Sequence, residues 1–220
     1  MKRIFTLFIC FFTCFAAFFS ASCAKTKDYF DYVSEYRQNV LLAANGDNLL
    51  KIYASNKEYP YKADGIKRPT STVCEFFFYA PSGENNYVLS FHYDGKTHGG
   101  DLSYDSVKKY YYYSCSLDLS QCKSLSVDVF AGEQKQTYNA ATVLTESTLS
   151  AKNVLSSLAN KESELFSSLL QKGEFLGEIY LRVLYEERVY YYVGIISQTG
   201  KITAFLVDGE TGSVIAKRQN

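Results

Sequence analysis

A mainly β chain with one α+β portion is predicted by three observations. Runs dense in Val, Ile, Thr, Tyr and Phe recur between turn signals from about residue 70 to residue 140. One stretch, 150–170, instead places its apolar residues at three- and four-residue steps. A second set of strand-like runs then continues to the C-terminus. The expectation is an antiparallel β-sandwich over 25–147 and a unit of one helix plus an antiparallel meander over 148–220, preceded by an export signal at 1–24.

The export signal rests on three features in series. Met1-Lys2-Arg3 is a short positive end, Ile4 to Phe19 is almost wholly apolar, and Ser20-Ala21-Ser22-Cys23-Ala24 is small. The apolar run is shorter than the roughly 20 residues of a spanning helix. Its end admits two readings. Ser20-Ala21-Ser22-Cys23 resembles the bacterial lipobox, with Ser20 where Leu is commoner, and this makes Cys23 the lipid-attachment residue. Ordinary cleavage after Ala24 is the alternative. A diacylated Cys23 would anchor the protein to the membrane far more firmly than one chain could.

Removing the signal leaves about 196 residues, enough for one or two small domains. Basic and acidic residues balance at 23 each, and the loss of Lys2 and Arg3 tips the remainder slightly acidic. Nucleic acid is therefore not an expected partner, because phosphate binding requires a basic patch. A 47% hydrophobic content supports a packed core. The 20 Tyr and 16 Phe, with no Trp, suit a half-exposed sheet face.

Within 25–147, Asp28 to Ala54 mixes helix and strand signals around a turn at Asn45-Gly46-Asp47-Asn48. Tyr59-Pro60-Tyr61 and Arg68-Pro69 mark an irregular stretch. Thr72 to Tyr79 and Tyr87 to Tyr93 read as strands joined through the turn at Pro81 to Asn86. Asp94-Gly95 is the strongest hairpin signal, since both residues tolerate the positive φ of a tight turn. Tyr110 to Leu117, Leu125 to Phe130 and Gln136 to Ala140 supply further strands. Strands at this spacing suggest a sandwich of immunoglobulin-like type.

In 148–220, Ser150 is the expected N-cap of a helix buried through Val154, Leu155, Leu158, Leu165, Phe166, Leu169 and Leu170, with Gly173 as its stop. Strands are expected at Glu178 to Tyr185, Val189 to Ile196, Ile202 to Val207 and Ser213 to Lys217. The segments Tyr190 to Ile196, Ala204 to Asp208 and Thr211-Gly212-Ser213-Val214-Ile215 carry a resemblance. With the helix before them and the closing Asp-x-x-Thr-Gly-x-Val pattern, Leu149 to Arg218 looks like a PepSY domain. The whole chain also resembles uncharacterised envelope lipoproteins of Gram-positive bacteria. These resemblances imply an extracytoplasmic location and the binding or inhibition of a protease; they imply no cofactor.

Candidate chemistry is sparse. His92 and His98 are the only histidines, and with Asp94 or Asp101 a hairpin could gather them around a metal. Polar, Gly-rich hairpin tips are also common for backbone reasons alone. Cys115 and Cys122 could form a disulfide, while Cys74, among Val73, Phe76 and Phe78, reads as a small buried hydrophobe. No Gly-x-Ser-x-Gly elbow and no phosphate-binding Gly-rich loop is present. Glu186-Glu187 falls at an expected turn, and Asp208 and Thr211 are expected to serve another. The leading expectation is a non-catalytic envelope protein that binds a protein or peptide. A metal-dependent hydrolase using His92 and His98, and a carbohydrate-binding module using a coplanar row of tyrosines, are the alternatives.

Overall fold

The computed structural model describes residues 27–60, 62–81 and 86–220. The signal segment 1–24 with Cys23, Tyr61, and the Ser82–Asn85 part of the expected turn lie outside the described residues. A short 3-10 turn at Tyr29–Tyr32 leads into β1 (Val33–Asn45), β2 (Asn48–Glu58), β3 (Thr70–Tyr79), β4 (Tyr87–Tyr93), β5 (Lys96–Asp101), β6 (Ser103–Asp105), β7 (Tyr110–Cys115), β8 (Ser124–Ala131) and β9 (Gln134–Thr142). Two helices follow, α1 (Ala151–Lys161) and α2 (Ser163–Ser168). The chain ends with the short pair β10 (Leu170–Gln171) and β11 (Glu174–Phe175) and the meander β12 (Gly177–Glu186), β13 (Arg188–Ser197), β14 (Ile202–Asp208) and β15 (Val214–Gln219). The fold is thus mainly β, with antiparallel strands and two helices.

Local chemistry accounts for the hairpins. Asp94 and Gly95 sit at φ 48° and 72°, the two-residue turn that matches strand twist, and Tyr93 faces Lys96 across it. The Ser150 hydroxyl accepts from the Asn153 N–H at 3.2 Å, so it caps α1 as its side chain allows. The single helix expected over 150–170 is two: Glu162, at φ −105° and ψ 36°, ends α1. The break lets Phe166 lie edge-on to Tyr29 at 4.6 Å and stack with Phe175 at 6.0 Å.

One sheet of thirteen strands runs through the molecule. Its N-terminal portion has the order β5–β4–β8–β9–β1–β2–β3–β7–β6. The two ends of that run, β5 and β6, are separated only by Leu102, so the sheet wraps round into a barrel-like form. This differs from the two separate sheets of the expected sandwich. The interior is aromatic: Phe76 meets Phe91 at 4.9 Å, and Phe78 meets Tyr87 at 5.0 Å and Tyr138 at 5.5 Å. Burying Phe76, Phe78 and Tyr138 fully contributes about 1.5–3 kcal/mol for each.

β1 explains why the sheet does not divide. From Glu35 to Asn45 it pairs antiparallel with β2. On its other edge, Val33 to Arg37 pairs parallel with β12, and Leu41 and Leu42 pair antiparallel with β9. A bulge lies between Arg37 and Asn39, where the partner changes. Asn39, 2% exposed, fills that junction: its amide donates to the carbonyls of Leu119 and Cys122 at 3.1 and 2.8 Å, and its oxygen accepts from the Thr142 hydroxyl at 2.6 Å. The second core forms where α1 covers β12–β14. Val154, Leu155 and Leu158 meet Leu181, Val193 and Phe205 there, with Val33 and Val40 of β1 in the same cluster.

Candidate functional site

The pleat decides which residues can act together. In β3, Cys74, Phe76 and Phe78 face the barrel interior, so Val73, Glu75, Phe77 and Tyr79 face outward. Register aligns Tyr53 of β2, Glu75 and Ser114 of β7 in one row, and Lys51, Phe77 and Tyr112 in the next. Arg37, Ser55 and Val73 form a third. The outer face of β1–β2–β3–β7 therefore carries aromatic rings interleaved with charge.

This face floors a concave groove of about 1040 Å3. Glu58, Tyr59 and Pro60, Tyr104 of β6, Lys108 of the β6–β7 turn and Arg182 of β12 add to the lining. Tyr59 is 90% exposed. The groove thus draws on β1, β2, β3 and β7 and on the meander through Arg182.

Most of the lining charge is neutralised internally. Arg182 holds Glu35 through two hydrogen bonds, Nε to Oε1 at 2.7 Å and Nη2 to Oε2 at 2.5 Å, the paired geometry that suits guanidinium and carboxylate. Lys57 meets Glu75 at 2.8 Å, and the Tyr112 hydroxyl donates to the same carboxylate at 3.0 Å. Desolvation raises the Tyr112 pKa, and that carboxylate adds to the rise. Arg37 differs. It lies 3.9 Å over the Tyr53 ring, next to Arg182 in the ladder, and among the described residues its buried Nε has no hydrogen-bond partner. Desolvation holds its pKa below the ordinary arginine value, with the neighbouring Arg182 acting in the same direction.

Chemically, such a site can bind. Arg37 offers donors to an anionic group, and the rings offer faces to flat or apolar groups. Among the described residues the lining contains serines but no histidine or cysteine. The aromatic rings do not form a coplanar row: Phe77 is crossed by Tyr53 at 49°, by Tyr112 at 54° and by Tyr110 at 90°.

The residues singled out from sequence fall elsewhere. His98 faces Phe91 across the β4–β5 ladder and stacks on it at 5.3 Å, while His92 faces Thr97. Adjacent positions point to opposite faces, so the two imidazoles are divided by the hairpin and cannot share a metal with Asp94 at its tip. No group of three or more His, Cys, Asp or Glu side chains is arranged for a metal among the described residues. Cys115 lies directly opposite Cys74, and the Cys122 thiol donates to the Ser124 carbonyl at 3.2 Å. Glu186 ends β12 opposite Arg188, and Glu187, at φ 64°, makes the β12–β13 turn.

The Asp208–Val214 pattern is a turn device. The Asp208 carboxylate accepts from the N–H groups of Thr211 and Glu210 at 2.8 and 3.1 Å and from the Thr211 hydroxyl at 3.0 Å. These bonds, the Thr211 one first, hold its pKa below the usual range. Gly212 takes φ 67°, and the Leu149 side chain would crowd any larger residue there. The Leu149 N–H donates to the Gly209 carbonyl at 2.8 Å and Lys161 to that of Gly212 at 3.1 Å, which ties the turn to both ends of α1.

No family model, curated protein or solved structure matches the chain. Arg37, Arg182, Glu35 and Tyr59 carried no motif. Only the outward phase of Glu75, Phe77 and Tyr79 within the expected strand could have pointed to this face.

Proposed function

We propose that this chain is an exported, non-catalytic envelope protein, anchored through a lipidated Cys23, which binds a protein or peptide partner in the groove on the β1–β2–β3–β7 face. The observation that carries the reading is Arg37, a desolvated guanidinium with no ion pair among the described residues, in a concavity where Glu35 is paired with Arg182 and Glu75 with Lys57. An extended segment with an acidic side chain flanked by apolar or aromatic ones complements it.

The PepSY-like reading of 148–220 is supported by the order helix then meander and by the Asp208–Gly212 turn. It makes an extracytoplasmic protease one candidate partner. For 25–147, an immunoglobulin-like layering draws support from the core lying between β4–β8–β9 and β2–β3–β7. The shared strand β1 sets the chain apart from that arrangement.

A nonapeptide library passed over the immobilised chain from Lys25 onward tests the groove. Peptides pairing Asp or Glu with an aromatic residue should be enriched, and Arg37→Gln should weaken them about tenfold or more, in line with loss of a charge-assisted pair. Enrichment of nothing tighter than about 1 mM would remove the reading. Mass spectrometry of the native N-terminus tests the anchor: a diacylated Cys23 supports it, and a free Lys25 refutes it.

A further inference from the structure

Among the described residues three thiols lie in or beside the barrel core, and two of them face each other. Cys74 of β3 and Cys115 of β7 are direct partners in an antiparallel ladder, so their side chains project to the same face. Such partners have Cα atoms about 4.5–5.5 Å apart, inside the roughly 4.4–6.8 Å span a disulfide bridges. The Cys74 thiol is placed to donate to the Cys115 sulfur. Cys122 is differently placed: Asn39 holds its carbonyl, and its thiol is turned to Ser124.

The geometry points to Cys74 and Cys115 as a cross-strand disulfide pair, formed by exchange with an external disulfide and leaving Cys122 reduced. Cys115 reacts first, because it is partly exposed whereas Cys74 is 0% exposed. Its hydrogen bond with Cys74 lowers its pKa, and that bond and burial raise that of Cys74. The Cys115 thiolate attacks one sulfur of a disulfide-bearing oxidant, forming a mixed disulfide and releasing the first oxidant thiol. The Cys74 sulfur gives up its proton and attacks the Cys115 sulfur, which expels the second. Two protein thiols are oxidised and one oxidant disulfide is reduced to two thiols.

The position gives the bond a consequence. Glu75 and Phe77 of β3, with Tyr112 and Ser114 of β7, lie on the other face of the same two strands. A Cys74–Cys115 bond would fix the separation of the strands that floor the groove. The pairing itself does not depend on any ligand binding there.

The test uses the folded chain from Lys25 onward, exposed to glutathione disulfide, alkylated and digested without reduction. Mass spectrometry should find the peptides of Cys74 and Cys115 joined and Cys122 alkylated. Cys122→Ser, which leaves the pair untouched, should form the same link at the wild-type rate and unfold at a higher temperature oxidised than reduced. A Cys115–Cys122 link, or three alkylated thiols after oxidation at folded conditions, overturns the assignment.

Discussion

Glu178 stands at the seam of β1 and β12, 0% exposed, and its Oε1 accepts from the Tyr180 hydroxyl at 2.9 Å. Burial pushes its pKa above the usual carboxylate value, and the carboxylate of Glu58 adds to the rise. A carboxyl whose pKa rises on folding leaves stability intact below its unfolded value, about 4.3. Stability is then lost as pH climbs through the folded value, because the ionised form is favoured in the unfolded chain. Glu178→Gln should therefore gain stability relative to wild type at pH 7 and little at pH 4, as read from urea midpoints at both. Asn39 poses the opposite case. Asn39→Ala strips partners from two buried carbonyls and the Thr142 hydroxyl and should cost about 1–3 kcal/mol in urea unfolding. Neither residue was visible as special from sequence. A buried carboxylate or amide is defined by its neighbours in space, and those of Asn39 lie some eighty to a hundred residues away.

At the scale of single elements the sequence was far more legible. The strands expected at Tyr87 to Tyr93 and Ile202 to Val207 lie within a residue of β4 and β14, because alternation and flanking turns are local properties. Ser150 caps α1 as expected, and Leu158 is 2% exposed beneath it. Ser150→Ala should cost about 1 kcal/mol and Leu158→Ala about 2–5 kcal/mol, with chemical denaturation ranking the two. A larger loss at Ser150 would mean that α1 is held by its cap rather than by its apolar face. Local reading failed where it had to place a side chain on a face. His92 and His98 looked like neighbours in a list of residues, but the β4–β5 register puts His98 with Phe91 and His92 with Thr97. A six-residue separation across a two-residue turn places them on opposite sides.

For the whole molecule, β1 is the element that joins 25–147 to 148–220. It supplies Val33 and Val40 to the core under α1 and Leu41 to the barrel interior. The groove depends on the same strand, since Arg37 of β1 and Arg182 of β12 are ladder partners. Unfolding one core should therefore uncover the edge of the other. Calorimetry should show one transition, with calorimetric and van't Hoff enthalpies equal within error. Two resolved transitions would show that the β1–β12 pairing contributes little coupling. Residues 148–220 alone should lack a cooperative melt, having lost a strand partner and part of their core.

The sequence by itself determined what short stretches dictate: β-rich character, the Asp94-Gly95 hairpin, the capped helix and the β12–β15 meander. Each depends on residues within a few positions of one another, where alternation, turn chemistry and helical spacing act directly. Only the tertiary structure decided that β1 takes β12 and β9 on one edge, that Cys115 lies opposite Cys74, and that Arg37 enters an aromatic groove. Those outcomes follow from pairing between strands distant along the chain, chosen by how two cores close around one shared strand.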